Sequence, residues 1–307
     1  MAIVTDSPEH GHLFVIGEPG RAALELPPGQ PSARIGPADV ELTTVSMSGL
    51  VIRAASSRGL QHRAGRKVRQ DAFALGCRAV AGEVDQAVAV VCDGLGSLNR
   101  SDEAAVLVSR GLAEYGAAGQ SWPDAFASVN EELQKAAEHA AIPGPEGNSV
   151  LTMATTAIAV SVRRDDDGWT GEVAWVGDSP LWHLGDDAKW TLIAGSEEED
   201  EDSVYHSGGV RPLPSQGGAC EWRDFRLEGG ALFLMSDGVG NPLKWSRQVQ
   251  ETLAAWWASP PDPFDFAAQI GFARKGHMDD RTVVGIWADG DGNANTEAES
   301  RTADSDR

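Results

Sequence analysis

The sequence predicts an α+β domain built on antiparallel strands, and three observations carry that reading. Short apolar runs of strand length recur, most clearly Ala87–Cys92 and Ala231–Met235. Residues 150–162 and 169–176 flank a polar turn and read as a hairpin. Between such runs lie segments whose apolar residues recur at helical spacing.

Taken in order, residues 1–45 hold several prolines and polar clusters and read as a partly disordered N-terminal extension. A strand is expected near 48–56. Residues 57–71 then form the one strongly basic stretch, with Arg58, Arg63, Arg66, Lys67 and Arg69, and end at Asp71 before Ala72–Leu75. A charge run of this kind is either a solvated loop or an anion site, since guanidinium forks match phosphate oxygens. The apolar run 87–92 stops at Asp93-Gly94-Leu95-Gly96. Such a turn lets the backbone approach a ligand closely and can offer a carboxylate and a carbonyl to one cation.

Ser101 is the expected N-cap of a helix in which Ala104, Leu107, Val108, Gly111, Leu112 and Tyr115 form one apolar stripe. A second helix starts near Ser121 and buries Phe126, Val129, Leu133 and Ala137. After the hairpin, Gly177-Asp178-Ser179-Pro180 breaks the chain and Leu181–Leu184 resumes it. Residues 195–221 read as an exposed flap, whose acidic run Glu197–Asp202 is a solvated surface because consecutive carboxylates do not converge. The run 231–236 ends in Asp237-Gly238 and repeats the Asp93-Gly94 pattern. Helices are expected near 245–258 and 263–274, a last strand after Asp279-Asp280, and a disordered tail over 289–307.

The 307 residues are 41% hydrophobic, enough to bury one sizeable core, here placed over residues 46–288. Lys plus Arg number 25 against 46 Asp plus Glu, a net charge of −21. That surface repels nucleic acid and anionic membranes, so neither is expected as a partner. Cys77, Cys92 and Cys220 show no paired spacing. With no secretory signal and no long apolar run, a cytoplasmic, reducing location is expected.

Asp93, Asp237 and Asp279 each sit where an apolar strand ends or begins. If those ends meet, the carboxylates repel unless a cation neutralises them, and oxygen ligands favour Mg²⁺ or Mn²⁺ over zinc. The ordered motifs Arg69-Gln70-Asp71-Ala72, Val91-Cys92-Asp93-Gly94-Leu95-Gly96, Thr155-Thr156-Ala157, Val176-Gly177-Asp178-Ser179, Met235-Ser236-Asp237-Gly238-Val239 and Asp279-Asp280-Arg281-Thr282-Val283-Val284 together resemble the metal-dependent Ser/Thr protein phosphatases of the PPM, or type 2C, family. The stretch Gly59–Arg63 is similar to that of compact bacterial members.

The resemblance implies a four-layer α/β/β/α sandwich of two antiparallel sheets flanked by helices. It implies two Mn²⁺ or Mg²⁺ ions and hydrolysis of phospho-Ser/Thr by a metal-activated water, on a phosphoprotein opposing a Ser/Thr kinase. A monomer is expected. Carried over by residue, Asp93 bridges both metals, the Gly94 carbonyl completes one, and Asp237 and Asp279 complete the other. Asp71 would contact the second metal through water, with Gln70 the weaker candidate for the same role. Arg66 binds phosphate, with Arg63 and Arg69 as rivals. Asp178 would serve a third metal.

Three departures qualify the likeness. Leu95 stands where some relatives have a proton-donating histidine, which leaves His62 or water for that role. Gln70 replaces an acid, and Asn241 replaces a third-metal aspartate. These departures keep two alternatives open: a phosphatase-like regulatory or binding module with little catalysis, and a small phosphometabolite phosphatase.

Overall fold

The computed structural model describes residues 3–7, 11–20, 32–47, 49–80, 83–143, 149–165, 168–195 and 211–288. The acidic run and most of the expected flap, the tail from 289, and much of the first 31 residues lie outside them.

The core strands are β1 (Val40–Met47), β2 (Leu50–Ser57), β3 (Ala72–Val80), β4 (Glu83–Cys92), β5 (Ala157–Asp165), β6 (Gly168–Val176), β7 (Leu181–Leu184), β8 (Trp190–Ala194), β9 (Glu221–Leu227), β10 (Ala231–Met235) and β11 (Arg281–Ala288). They form a five-stranded sheet, β9-β6-β5-β4-β3, and a six-stranded sheet, β8-β7-β10-β11-β2-β1, with antiparallel pairing throughout. The helices are α1 (Leu60–Ala64), α2 (Ser101–Ala117), α3 (Trp122–Ala140), α4 (Asp237–Trp245), α5 (Arg247–Trp257) and α6 (Pro263–Ile270).

Strand β4 explains the layering. Ala87, Ala89 and Val91 point at Ile52, Leu234 and Val284 of the facing sheet, while Val88, Val90 and Cys92 pack under α2 and α3. Period-two alternation with both faces buried demands the unbroken apolar run seen in the sequence. The outer face of the six-stranded sheet is covered by α4–α6 around an aromatic cluster. There Phe233 stacks on Trp257 at 5.3 Å and meets Trp287 edge-on at 5.2 Å. The Trp257 and Trp287 indole N–H groups donate to Gln269 Oε1 and the Trp257 carbonyl, so neither polar edge is buried unpaired. The result is the expected α/β/β/α sandwich. Cys77, Cys92 and Cys220 are free thiols.

Several local expectations are corrected. The sheet begins inside the expected N-terminal extension, because β1 pairs with β2 from Val40↔Ser57 to Met47↔Leu50. As a half-exposed edge strand it carries a weak apolar signal. Residues 14–18 also lie on the domain: Ala273 N–H donates to the Phe14 carbonyl at 2.7 Å. The expected strand over 150–162 starts only at Ala157, since Thr155 and Thr156 turn their hydrogen bonds to the Asp93 carbonyl. Arg100, not Ser101, occupies the N-cap position of α2, without a side-chain capping bond, and Ser101 Oγ donates to the Leu95 carbonyl. Helix α4 begins at Asp237 itself; Gly238, Gly240 and Pro242 hid it, being poor helix formers.

Candidate metal and phosphate site

Register brings several chain reversals to one rim. Ala72 pairs with Cys92, Met235 with Val283, and Ser57 with Arg281. Asp71 therefore precedes β3 beside Asp93, which follows β4. In the facing sheet Asp237 follows β10 beside Asp279 and Asp280, which precede β11. Hydrogen bonds tie the sheets together there. The Asp237 N–H donates to Asp93 Oδ2 at 3.4 Å, and Thr282 Oγ1 donates to Asp71 Oδ2 at 2.9 Å.

The Asp93 turn is held from below. Thr155 Oγ1 at 2.9 Å and the Thr156 N–H at 2.8 Å donate to the Asp93 carbonyl, and the Leu95 N–H donates to the Ala154 carbonyl. A side chain at Gly94 would stand 2.5 Å from the Gln70 carbonyl and 2.8 Å from that of Ser101, so only glycine fits.

Electrostatics reflect this crowding. Desolvation, then the nearby Asp280 and Asp279 charges, hold the buried Asp71 carboxyl well above its usual range. Desolvation followed by Asp71, Asp237 and Asp279 does the same to Asp93. Burial raises Asp237 to about 6, with Asp178 and Asp279 adding to it and the bond to Asp93 opposing it. Beneath them Arg281 is buried, its guanidinium 4.1 Å from the Phe272 ring and donating to the His277 carbonyl at 2.7 Å. Desolvation lowers Arg281 to about 9 against the pull of Asp279 and Asp237. A wall of carboxylates pushed toward protonation by burial and by one another fits a divalent cation, which removes both penalties.

Asp71, Asp93, Asp237 and Asp279 are thus brought together, with Asp178 beside Asp237. Asn241 Nδ2 donates to Asp237 Oδ2 at 3.4 Å. Asp93, Asp237 and Asp279 share the rim without their ligand atoms all lying within 4.8 Å of one another. Among the described residues, His62, Asp279 and Asp280 do meet that distance.

The three candidate arginines separate. Arg69 is 1% exposed and donates to Glu41 Oε2 at 2.5 Å and to the Ser56 carbonyl at 3.2 Å, so it braces β1 and β2. Arg63 is partly buried on α1, with Nε donating to the Arg58 carbonyl at 3.1 Å. Arg66 is exposed at a left-handed backbone position, φ 54°. Its neighbour Lys67 donates to the Gly96 carbonyl at 2.6 Å, which sets this cationic loop against the Asp93 turn.

Sequence reasoning missed Arg281, read only as part of a strand motif, and the partner that orients His62. Asp280 is 2% exposed and accepts from the Gly59 N–H, the Gln70 N–H and the His62 ring. The doubled Asp279-Asp280 was the only signal available for that arrangement.

The sequence profile of the protein phosphatase 2C family matches residues 58–269. No curated protein matches the chain at a significant level. Solved structures do. A bacterial serine phosphatase is 16% identical over 82% of this chain and 98% of its own, with a TM-score of 0.54. PppA from Pseudomonas aeruginosa is 20% identical over 80% of this chain and 100% of its own, also at 0.54. A serine/threonine phosphatase from Staphylococcus aureus is 13% identical over 85% and 98%, at 0.52. At these identities the likeness is one of fold. With the profile covering more than half of its length, the chain belongs to the protein phosphatase 2C family.

Proposed function

We propose that this chain is a Mn²⁺- or Mg²⁺-dependent phosphatase that removes phosphate from Ser or Thr of a cytoplasmic phosphoprotein, opposing a Ser/Thr kinase. One observation carries the reading: the buried Asp71, the partly buried Asp93 and Asp237 and the exposed Asp279 share one rim beside the exposed cations Arg66 and Lys67. Asp93, the Gly94 carbonyl, Asp237 and Asp279 would hold two metal ions, with Asp71 acting through water. When bound, the metals supply charge neutralisation and an activated water for attack on phosphorus.

The chain's own residues do the rest. Thr155 and Thr156 fix the Asp93 backbone, so the carboxylate does not swing away as the site empties and fills. Arg281 supplies a fixed positive charge beneath the rim. Arg66 is the exposed guanidinium that meets the phosphoryl oxygens, whereas Arg69 is committed to Glu41 and Ser56. Leu95 carries no proton, so the leaving alkoxide takes one from solvent. Asn241 is neutral and donates to Asp237, so it brings no second carboxylate to Asp178, which makes a third metal there weak.

The test is phosphate release from phosphoserine, phosphothreonine and phosphotyrosine peptides, with Mn²⁺ and with chelator. Mn²⁺-dependent release from the first two supports the reading. Tight Mn²⁺ uptake with no release from any peptide, or from a small phosphoester, would instead favour the regulatory module.

A further inference from the structure

His62 lies at the inner wall of the rim, on α1, and is 4% exposed. Its Nδ1 is 2.8 Å from Asp280 Oδ2 and its Nε2 is 3.6 Å from Asp279 Oδ1. Asp280 also accepts from the Gly59 N–H and the Gln70 N–H, each at 2.6 Å. A carboxylate offers only acceptors, so Nδ1 carries the hydrogen, and a cation that displaces the Nε2 proton would meet the Nε2 lone pair. Nε2 faces Asp279. At 3.6 Å the two atoms are too far apart for a hydrogen bond. They are close enough for one ion to reach both with bonds of about 2.1 Å each.

A second buried polar atom lies on the same wall. Gln70 is 2% exposed, and its Oε1 is buried with no hydrogen-bond partner. Its Nε2 donates to the Leu98 carbonyl at 2.7 Å, which fixes the amide. A Cβ built on Gly96 would stand 3.9 Å from His62 Nε2 and 4.0 Å from Gln70 Oε1. Both atoms therefore line the Gly96 turn.

We infer that His62 Nε2 is a nitrogen ligand of the metal held by Asp279, with Asp280 as the carboxylate that orients the ring. This rests on the phosphatase reading above. Carboxylates hold Mn²⁺ and Mg²⁺ alike, and an added nitrogen ligand tips such a site toward the transition ion, so this centre prefers Mn²⁺ over Mg²⁺. Carboxylate–imidazole–metal arrangements fix both the tautomer and the ring, and they add basicity to the ligand.

The test is pulsed electron spin resonance on Mn²⁺-loaded full-length protein, paired with competitive Mn²⁺ and Mg²⁺ titrations. The wild type should show nitrogen modulation of the Mn²⁺ signal that changes when histidine is isotopically labelled, a readout that needs no variant. In His62→Gln the modulation should vanish and the Mn²⁺-over-Mg²⁺ preference should fall about 10-fold or more. Mn²⁺ bound without nitrogen modulation, or an equal loss for both ions in His62→Gln, overturns the inference and leaves the phosphatase reading standing. A wild type that binds neither ion overturns both.

Discussion

Asp93 and Asp237 lie 144 positions apart and meet across the two sheets, the Asp237 N–H donating to Asp93 Oδ2 at 3.4 Å. The repeated strand-Asp-Gly pattern is therefore one site seen twice. Each copy ends a strand of a different sheet, and the sandwich closes them on each other. Replacing Asp93 by Asn removes one crowded charge while keeping the shape. Mn²⁺ affinity and hydrolysis should each fall at least about 100-fold, since a ligand is lost. Metal-free melting should rise rather than fall; calorimetry without metal checks the sign.

The same crowding predicts a pH dependence for the metal-free protein. The Asp237 carboxyl moves from 3.8 to about 6 on folding, so between those values the folded chain binds more protons than the unfolded one. Stability then falls as pH rises through that window. The His62 pKa, lifted by Asp280 and Asp279 against the larger desolvation effect that burial exerts, lies above 6.5 and extends the fall. Metal-free protein should melt higher near pH 5 than near pH 8, by on the order of 2 kcal/mol for Asp237. Asp237→Asn should narrow the difference, and added Mn²⁺ should reverse it. Melting scans across pH, with and without metal, check this.

Arg66 and Arg69 should part company when replaced by Ala. Arg66→Ala should raise KM and weaken inhibition by inorganic phosphate by about 10-fold, the size of one charge-assisted contact. Arg69→Ala should lower the melting temperature with little change in KM, because it breaks bonds to Glu41 and Ser56. Steady-state kinetics with phosphate inhibition, beside thermal melting, separate the two.

Gly59 is where α1 meets the metal-bearing turn. A Cβ there would stand 2.2 Å from the Asp279 carbonyl carbon and 2.5 Å from the Asp280 nitrogen. Gly59→Ala must push that backbone away, at a cost of about 1–3 kcal/mol. Mn²⁺ affinity should fall with stability, as denaturant melts and metal titration would show.

Trp257 tests the separation of fold from site. It is fully buried in the aromatic cluster of the six-stranded sheet. Trp257→Ala should cost about 3–5 kcal/mol. Turnover per folded molecule should stay unchanged at low temperature, as activity normalised to the folded fraction would reveal.

The layers and most of the site were legible because they rest on one-dimensional signals. Buried strands such as 87–92 read as unbroken apolar runs, α2 and α3 as stripes, and the ligand carboxylates as strand ends. What stayed hidden depends on partners distant in sequence. Edge strand β1 is half exposed and looks like linker. Residues 151–156 have strand composition, but Ala154, Thr155 and Thr156 hydrogen-bond to the Asp93 turn. Arg69 and Arg66 sit three positions apart in one basic stretch, and only packing against Glu41 separates a brace from an exposed cation. The His62–Asp280 pair spans 218 positions, which no local pattern encodes.

The most direct test of the central claim is a parallel titration of Mn²⁺ binding and p-nitrophenyl phosphate hydrolysis in the wild type and Asp93→Asn. The account predicts turnover that rises with Mn²⁺ occupancy in the wild type and is lost with binding in the variant. Hydrolysis that persists in Asp93→Asn, or that proceeds equally well in chelator, would contradict a metal-dependent phosphatase built on this rim.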